Sequence, residues 1–345
     1  MSILCGATRA SHAAVVLGAI LVAVLADACT TTIVVPQSPP TRPTTWVFAV
    51  ERNARIDSSL RANASQLDGV VISEFQLDSV TGQPSELHSR DDVSLPTNVT
   101  PIALITTHDG ERYHPETIRK LAISASARNL AASRAAALVA QRGARIAILD
   151  FEAQAKEDLP ALLTVLRTMG DTLRAHGDSV GIQLSGVDTA AYPTAPLLAV
   201  ADFLVIRLDN EHWSTSAPGV IASPLWVRRA LARRVADVGP DRLVALLPVF
   251  SYVWRNSQPG ELIGFTSARR LASEGSVDVV RDPASQSLHA VQPGNWELWL
   301  TDASLLNALE AEVRALGVQR LALRQLGLED PDIWSPASQT ISRSR

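Results

Sequence analysis

Cysteine is scarce in this chain of 345 residues, which contains only Cys5 and Cys29. Both stand within the first 29 residues, so the remainder can form neither a disulfide scaffold nor a cysteine-based metal site. The chain also lacks an excess of positive charge. It contains 31 Lys and Arg residues and 35 Asp and Glu residues, which gives a net charge of -4. This composition has no basic footprint, and we expect no nucleic-acid partner.

The apolar run at residues 13–26 is short for a membrane-spanning helix but has the length of a signal-peptide core. Residues 25–29 (LADAC) follow it and resemble a bacterial lipobox, in which the cysteine becomes the lipidated first residue. We therefore expect an exported protein of the cell envelope, held on a bacterial membrane by a lipid on Cys29. The alternative is an ordinary secretory leader, cleaved elsewhere or retained.

Composition then divides the rest of the chain. Residues 30–45 are rich in Thr and Pro and predict an extended linker without a core of its own. We expect one catalytic or binding domain over residues 46–336 and a disordered tail over 337–345.

Eight apolar, β-prone runs alternate with helical patterns inside this domain. Such alternation predicts an α/β fold, a (β/α)8 TIM barrel. A doubly wound open sheet is the alternative, but no Gly-x-Gly-x-x-Gly follows any run to support it. The runs are residues 46–50, 69–75, 101–106, 145–150, 179–184, 202–208, 242–249 and 319–324; the helices begin at Pro115 or span 126–142, 158–176, 224–238 and 302–316.

One interval departs from the alternation. Between the seventh and eighth runs, residues 264–300 contain three short β-prone segments, 277–280, 287–291 and 296–300, separated by Asp-Pro and Pro-Gly pairs. They predict a small β insertion on the rim of the barrel.

Two acidic residues end the fourth run, which is otherwise apolar. Side chains two apart on a strand share a face, so Asp150 and Glu152 are expected to point the same way. In a barrel, the carboxyl ends of the strands carry the active site. The plainer interpretation is a strand end with two solvated acids.

Several stretches resemble glycoside hydrolase family 18, the chitinase-like barrels, and most closely the bacterial branch associated with polysaccharide deacetylase and glycosyltransferase modules. The likeness covers roughly residues 46–336 in order, and the last stretch is the most specific. The stretches are residues 148–152 (ILDFE), 202–213 (DFLVIRLDNEHW), 282–285 (DPAS), 296–299 (WELW) and 322–334 (ALRQLGLEDPDIW).

The resemblance implies a division of labour between the two acids. Glu152 takes the position of the general acid/base, which needs a raised pKa. Asp150 takes the position that holds and polarises the substrate's own 2-acetamido group, the nucleophile of a retaining mechanism. No cofactor and no metal are implied.

Several positions depart from the family pattern. Ile148 replaces an Asp that many chitinases have, and Asp209 and Asn210 stand where a Tyr and an Asp are usual. Asp209 is therefore the third catalytic candidate, at the place of the Tyr that assists the acetamido group. Arg207 and Arg324 replace a Met and a stacking Trp, and two arginines here could suit an anionic ligand.

The resemblance and the rim topology also suggest residues that contact a glycan. Each has a plainer alternative: the tryptophans as core, His212 as polar packing, and Glu152 as a structural ion-pair partner of Arg207 or Arg324. The candidates for substrate binding are Glu74, Asn210, His212, Trp213, Arg207, Tyr252, Trp254 and Arg324.

Two functions follow as expectations. The first is an exported glycosidase that cleaves a β-linked N-acetylhexosamine polysaccharide by substrate-assisted retaining hydrolysis. The second is a catalytically degenerate barrel that binds a glycan, or a partner in envelope polysaccharide metabolism, without cutting it.

Overall fold

Eight parallel strands and a second, smaller sheet organise the chain in this computed structural model, which describes residues 44–49, 53–89, 95–256 and 258–335. The strands are β1 (Thr44–Phe48), β2 (Gly69–Leu77), β3 (Pro84–Ser89), β4 (Thr100–Thr106), β5 (Ile146–Asp150), β6 (Ser179–Ser185), β7 (Phe203–Arg207), β8 (Leu243–Pro248), β9 (Ser251–Arg255), β10 (Glu261–Ile263), β11 (Val280–Arg281), β12 (Leu288–Gln292), β13 (Trp296–Leu300) and β14 (Arg320–Arg324).

The larger sheet closes on itself. Its order is β1-β14-β8-β7-β6-β5-β4-β2, and β2 pairs again with β1 through parallel registers. The predicted (β/α)8 barrel is confirmed, and each of its strands lies within two residues of a predicted run. One described strand of this larger sheet was not predicted: β3 pairs antiparallel with the outer half of β2.

Helices separate most of the barrel strands, whereas strand β3 lies between β2 and β4 in the described part of the chain. Local capping explains where several begin: the Ser223 hydroxyl accepts from the backbone N–H of Trp226, and the Asp302 carboxylate accepts from that of Leu305. The five predicted helices are all present. The helices are α1 (Ala54–Asn63), α2 (Pro115–Ile123), α3 (Ala125–Gln141), α4 (Leu159–Ala175), α5 (Thr194–Leu198), α6 (Pro224–Val238), α7 (Phe265–Glu274) and α8 (Ala303–Ala315).

Side chains fill the interior of the barrel. The rings of Trp46 and Phe203 meet edge to face with their centroids 5.4 Å apart. Gly181 makes room for them, because a Cβ at this position would lie 2.2 Å from Cε2 of Phe203. The interior is therefore a packed core rather than a pore. Its buried members are Trp46, Val71, Ile102, Leu104, Ile148, Phe203, Val205, Val244, Leu246 and Ala322.

A second apolar layer lies between the barrel and the helices. Helix α4 contributes Leu162, Val165, Leu166 and Met169, spaced so that they share one face of the helix and are buried. Each such burial contributes on the order of 1.5–3 kcal/mol. This layer holds the helices against the outer faces of the barrel strands. The inner faces of the same strands line the barrel interior.

The predicted β insertion between the seventh and eighth barrel strands is present as a five-stranded antiparallel sheet, ordered β10-β9-β13-β12-β11. It begins at β9, earlier than predicted, because the chain turns directly from β8 into β9. Of the predicted segment 277–280, only its last residue lies in a strand, β11. Val253, Trp296 and Leu298 are among the residues of its own small core.

The predicted leader, with Cys29, and almost all of the predicted linker lie outside the described residues, as does the tail at 337–345. Within residues 44–49, 53–89, 95–256 and 258–335, no helix has both the length and the apolar character that a membrane crossing requires.

Candidate active site

Asp150 and Glu152 meet at the carboxyl end of β5, the fourth barrel strand. Ile148 belongs to the interior core, and the alternation along the strand places Asp150 and then Glu152 on the same inward side. Both are buried, with 3% and 8% of their surface exposed. They are not solvated acids at an exposed strand end.

Hydroxyl groups hold the Asp150 carboxylate. Thr106, at the end of β4, donates to Oδ2 at 3.1 Å. Tyr113, from the loop that follows β4, donates to Oδ2 at 3.0 Å and lies 3.3 Å from Oδ1. Burial raises the pKa of Asp150, against the lowering effects of the Arg207 charge and of these two hydroxyls.

Glu152 has one occupied and one free oxygen. Arg207 donates through Nη1 to Oε2 at 3.0 Å, while the buried Oε1 has no hydrogen-bond partner among the residues that the structure describes. Burial raises the pKa of Glu152 to about 7, and the negative charges of Asp150 and Asp209 act in the same direction against Arg207. Glu152 can therefore hold a proton near neutral pH.

Alternating charges continue from Glu152 across the barrel mouth. Nε of Arg207, at the end of β7, lies 3.3 Å from Oδ1 of Asp209, and Nη1 of Arg324, at the end of β14, donates to Oδ2 of the same carboxylate. Burial acts to raise the pKa of Asp209, but the guanidiniums of Arg324 and Arg207 outweigh it and lower the pKa. Asp209 is thus a permanent anion, and Arg324 contacts it rather than Glu152.

Tyr113 connects the two halves of this arrangement. Its hydroxyl donates to Asp150 and accepts from Nη1 of Arg207 at 3.2 Å. Burial and the charges of Asp150 and Glu152 raise its pKa well above the usual value, so the hydroxyl stays protonated. The ring packs edge to face against His108, with centroids 4.7 Å apart.

A cavity of about 400 Å³ opens beside these groups, within the size range of small-molecule sites. Its lining includes both arginines and Asp209, but neither Asp150 nor Glu152. The lining residues are Val187, Arg207, Asp209, Asn210, Trp213, Ser214, Phe250, Tyr252, Leu262, Arg324 and Gln325.

The structure thus brings together Asp150, Glu152 and Asp209, together with five of the eight substrate-binding candidates. Those five line the 400 Å³ cavity, and Asn210 also donates to the Ser185 hydroxyl at 3.2 Å. They are Arg207, Asn210, Trp213, Tyr252 and Arg324.

Three candidates lie elsewhere. Trp254 is 5% exposed and lines a second cavity, of about 560 Å³, between the insertion and residues 214–218. Nδ1 of His212 contacts the carbonyl of Ala217 at 3.0 Å. Oε2 of Glu74 lies 2.9 Å from Nδ1 of His88 on β3. None of these three lines the 400 Å³ cavity.

Sequence reasoning missed Thr106 and Tyr113. Thr106 is the last residue of the predicted third strand, in the inward register, and could have been found by the alternation that gave Asp150. Tyr113 comes from a loop that doubles back through a bridge between His108 and Tyr113. The Asp109-Gly110 pair is the local signal for that return, because Asp-Gly favours tight turns and Oδ1 of Asp109 accepts from the backbone N–H groups of Glu111 and Arg112. Among the described residues, no group of three metal-ligating side chains forms a candidate metal site.

The barrel of this chain superposes on solved chitinase-like barrels of glycoside hydrolase family 18, so the predicted resemblance is confirmed for the fold. A chitinase from Chromobacterium violaceum ATCC 12472 superposes with a TM-score of 0.73 over 88% of this chain and 99% of that one, at 18% identity. A mutant GH18 chitinase from Cycas revoluta, in complex with (GlcNAc)4, gives a TM-score of 0.70 over 86% and 99%, at 14% identity.

A curated protein with a similar sequence is also described as a glycosylase. YdhD of Bacillus subtilis (strain 168), described as a sporulation-specific glycosylase, is 23% identical over 249 residues. The match covers 67% of this chain and only 58% of YdhD. No protein-family model matches the chain.

Proposed function

We propose that this chain is a glycosidase that cleaves a β-linked N-acetylhexosamine polysaccharide by substrate-assisted, retaining hydrolysis. The observation that carries the proposal is the state of Glu152: a buried carboxyl at the end of the fourth barrel strand, with a pKa of about 7 and one free oxygen. The glycosylase and chitinase relatives, and the (GlcNAc)4 bound to one of them, support the substrate class.

Glu152 has the properties of a general acid. Its Oε2 accepts from Arg207, so the proton of the neutral carboxyl belongs on the unpartnered Oε1. From there it can be donated to the glycosidic oxygen. An acid with a pKa near the working pH combines an adequate protonated fraction with a favourable proton transfer.

Asp150 acts on the 2-acetamido group of the substrate. In a substrate-assisted mechanism the acetamido oxygen attacks the anomeric carbon, and positive charge develops on the resulting oxazolinium ring. A buried carboxylate beside that ring accepts its N–H and stabilises its charge. Thr106 and Tyr113 fix the orientation of Asp150 before the substrate arrives, so little reorganisation is needed.

Protons and bonds balance over two steps. In the first, the glycosidic C–O bond breaks, the acetamido oxygen bonds to the anomeric carbon, and Glu152 gives its proton to the departing oxygen. In the second, Glu152 as carboxylate takes a proton from water while the water oxygen replaces the acetamido oxygen on the anomeric carbon. The configuration is retained and Glu152 is neutral again.

The test is hydrolysis of N-acetylglucosamine oligomers and of partly de-N-acetylated and β-1,6-linked glucosamine polymers by the purified protein. Glu152→Gln is expected to lower kcat by about 100-fold or more, the usual contribution of a general acid. Glu274→Gln, at a glutamate on α7 whose side chain is 67% exposed, is the matched control and should retain full activity. Undiminished cleavage by the Glu152→Gln variant would show that Glu152 is not the general acid.

The second candidate function is glycan binding without turnover. It is favoured by the Arg207–Glu152 pair, because a guanidinium next to an acid stabilises its deprotonated form. Calorimetric titration separates the two candidates. Binding of these oligomers without any product after prolonged incubation supports the non-catalytic barrel, whereas product formation that depends on Glu152 excludes it.

We also propose that the protein works in the cell envelope, exported by its leader and lipid-anchored through Cys29. Residues 13–26 and the LADAC sequence at 25–29 support this location. The description of YdhD as sporulation-specific agrees with a polysaccharide substrate in the envelope.

A further inference from the structure

The 400 Å³ cavity beside the acid pair has an unusual balance of charge. Of the residues that line it, Arg207 and Arg324 are cationic and Asp209 is anionic, whereas Asp150 and Glu152 do not line it. Arg207 pairs with Glu152 as well as with Asp209, whereas Asp209 is the one acid that Arg324 contacts among the described residues.

Arg324 is the cation that a ligand can reach. Its side chain is 35% exposed, and its only hydrogen bond among the described residues runs from Nη1 to Asp209. The N–H groups of Nε and Nη2 are therefore available to a ligand in the cavity that Arg324 lines. Arg207 is more enclosed, with its side chain 14% exposed and its donors engaged by Asp209, Tyr113 and Glu152.

The walls of the same cavity suit a sugar ring. Phe250 and Tyr252 pack edge to face at 5.4 Å, and Trp213 presents an indole that is 49% exposed. Asn210 adds a buried Oδ1 that has no hydrogen-bond partner within the described part of the chain and can accept from a hydroxyl. Aromatic surface with a few fixed polar groups is the usual composition of a small-ligand site.

We propose that this cavity binds a sugar unit that carries a carboxylate, with Nε and Nη2 of Arg324 donating to the carboxylate oxygens. The guanidinium fork matches a carboxylate in a bidentate geometry. The inference rests on the proposed function and specifies it: the glycan has acidic units beside its N-acetylhexosamine units, and Arg324 selects them.

Binding is measured by calorimetry with sulfur-linked tetramers, which resist cleavage. One tetramer bears a carboxylate at C6 of one sugar and another bears it on an ether substituent at O3. Each is compared with its own carboxamide, and a phosphomonoester tetramer forms a third arm. At least one carboxylate tetramer is expected to bind about tenfold more tightly than its carboxamide, the equivalent of one ion pair, and its advantage should shrink at high salt.

Arg324→Gln should reduce this carboxylate-to-carboxamide ratio to about one. Asp209 keeps Arg207 as a partner in that variant, so the site is not left with a lone buried anion. Arg324→Lys, which retains charge but not the fork, should give an intermediate ratio. Arg270→Gln, at an arginine on α7 whose side chain is 71% exposed, is the matched control and should leave the ratio unchanged.

Equal binding of both carboxylates and their carboxamides by the wild type overturns the inference. So does a ratio unaffected by Arg324→Gln, and so does tighter binding of the phosphomonoester than of either carboxylate. Hydrolysis of neutral oligomers is a separate readout that depends on Glu152. Failure of the acidic preference with intact hydrolysis, or the reverse, therefore shows which of the two proposals is wrong.

Discussion

The hydroxyl of Tyr113 supports the Asp150 carboxylate, a contact that strand alternation along the sequence does not predict. The chitinase-like pattern supplies a tyrosine from the sixth barrel strand, and this chain has Asp209 there. Tyr113 reaches the acid pair instead from the loop after the third barrel strand, donating to Asp150 at 3.0 Å and accepting from Arg207 at 3.2 Å. A tyrosine hydroxyl thus reaches Asp150 from a different element than the resemblance implies.

Tyr113→Phe is expected to lower kcat by about tenfold to a hundredfold. The reason is that a hydrogen bond to a charged group contributes roughly 1.5–3 kcal/mol, here to the carboxylate that stabilises the oxazolinium in the proposed mechanism. KM should change much less, because the bond serves the transition state. Steady-state kinetics on N-acetylglucosamine oligomers measure both, and circular dichroism checks the fold. An unchanged kcat would show that Tyr113 is only packing.

The pH dependence of activity follows from Glu152. The acid acts only when protonated, and burial raises its pKa to about 7. Activity should therefore be half-lost near pH 7 and fall about tenfold for each further pH unit. A profile of kcat/KM from pH 4 to pH 9 measures this limb. Activity that stays constant between pH 7 and pH 9 contradicts the role of Glu152 as the acid.

For individual residues, the sequence predicts which side chains of the candidate site share a face of a strand, because strand alternation determines this. Asp150 and Glu152 share a face because they are two apart, and Arg207 and Asp209 do so for the same reason. Which partner each finds depends on how strands distant in sequence meet. Arg324 contacts Asp209 instead of Glu152, a choice that has no local signal. The Asp109-Gly110 turn signals that the Tyr113 loop returns, but the contact of Tyr113 with Asp150 depends on tertiary packing.

Among the secondary-structure elements, β6 and β7 show how closely the barrel interior is fitted. Gly181 of β6 lies against the ring of Phe203 in β7, and a Cβ at Gly181 would come within 2.2 Å of it. The ring also packs on Trp46 from β1. A glycine in the middle of a strand is costly, and here its reason is the room that it leaves for an aromatic ring.

Gly181→Ala is expected to destabilise the fold by about 1–3 kcal/mol, the usual cost of overpacking a core. Phe203→Leu alone leaves space beside Gly181. The double variant should therefore be more stable than the sum of the two single changes predicts, because the added methyl fills that space. Urea unfolding of the four proteins gives the coupling energy. Purely additive effects would mean that Gly181 and Phe203 do not compete for room.

Most elements were predictable because they carry their own pattern. The barrel strands are apolar runs of five to nine residues, and the helices have helical spacing with capping residues. Strand β3 lacks such a pattern: its sequence PSELHS is mostly polar, and it forms because β2 offers an edge. The insertion was placed too late since β9 follows β8 after only two residues.

For the whole molecule, attachment to a membrane is the property that the leader predicts. Cys29→Ser removes the thiol that a lipid would modify and should move the expressed protein from the membrane fraction to the soluble exported fraction. Immunoblotting after fractionation, with labelled palmitate to detect the lipid, measures this change. Cys5→Ser is the matched control and should leave the distribution unaltered. Equal partitioning of the two variants contradicts the anchor at Cys29.

The packed interior of the barrel determines how a substrate can enter the site and how products can leave it. From Trp46 and Phe203 to Ile148, side chains fill the axis, so no polymer can thread through the molecule. A long glycan has to lie across the face where the strands end. Substrate, hydrolytic water and both products would share that one opening. Turnover on a polymer would then depend on how quickly the two products dissociate from the barrel mouth. Accumulating product should compete directly with the next substrate molecule for binding.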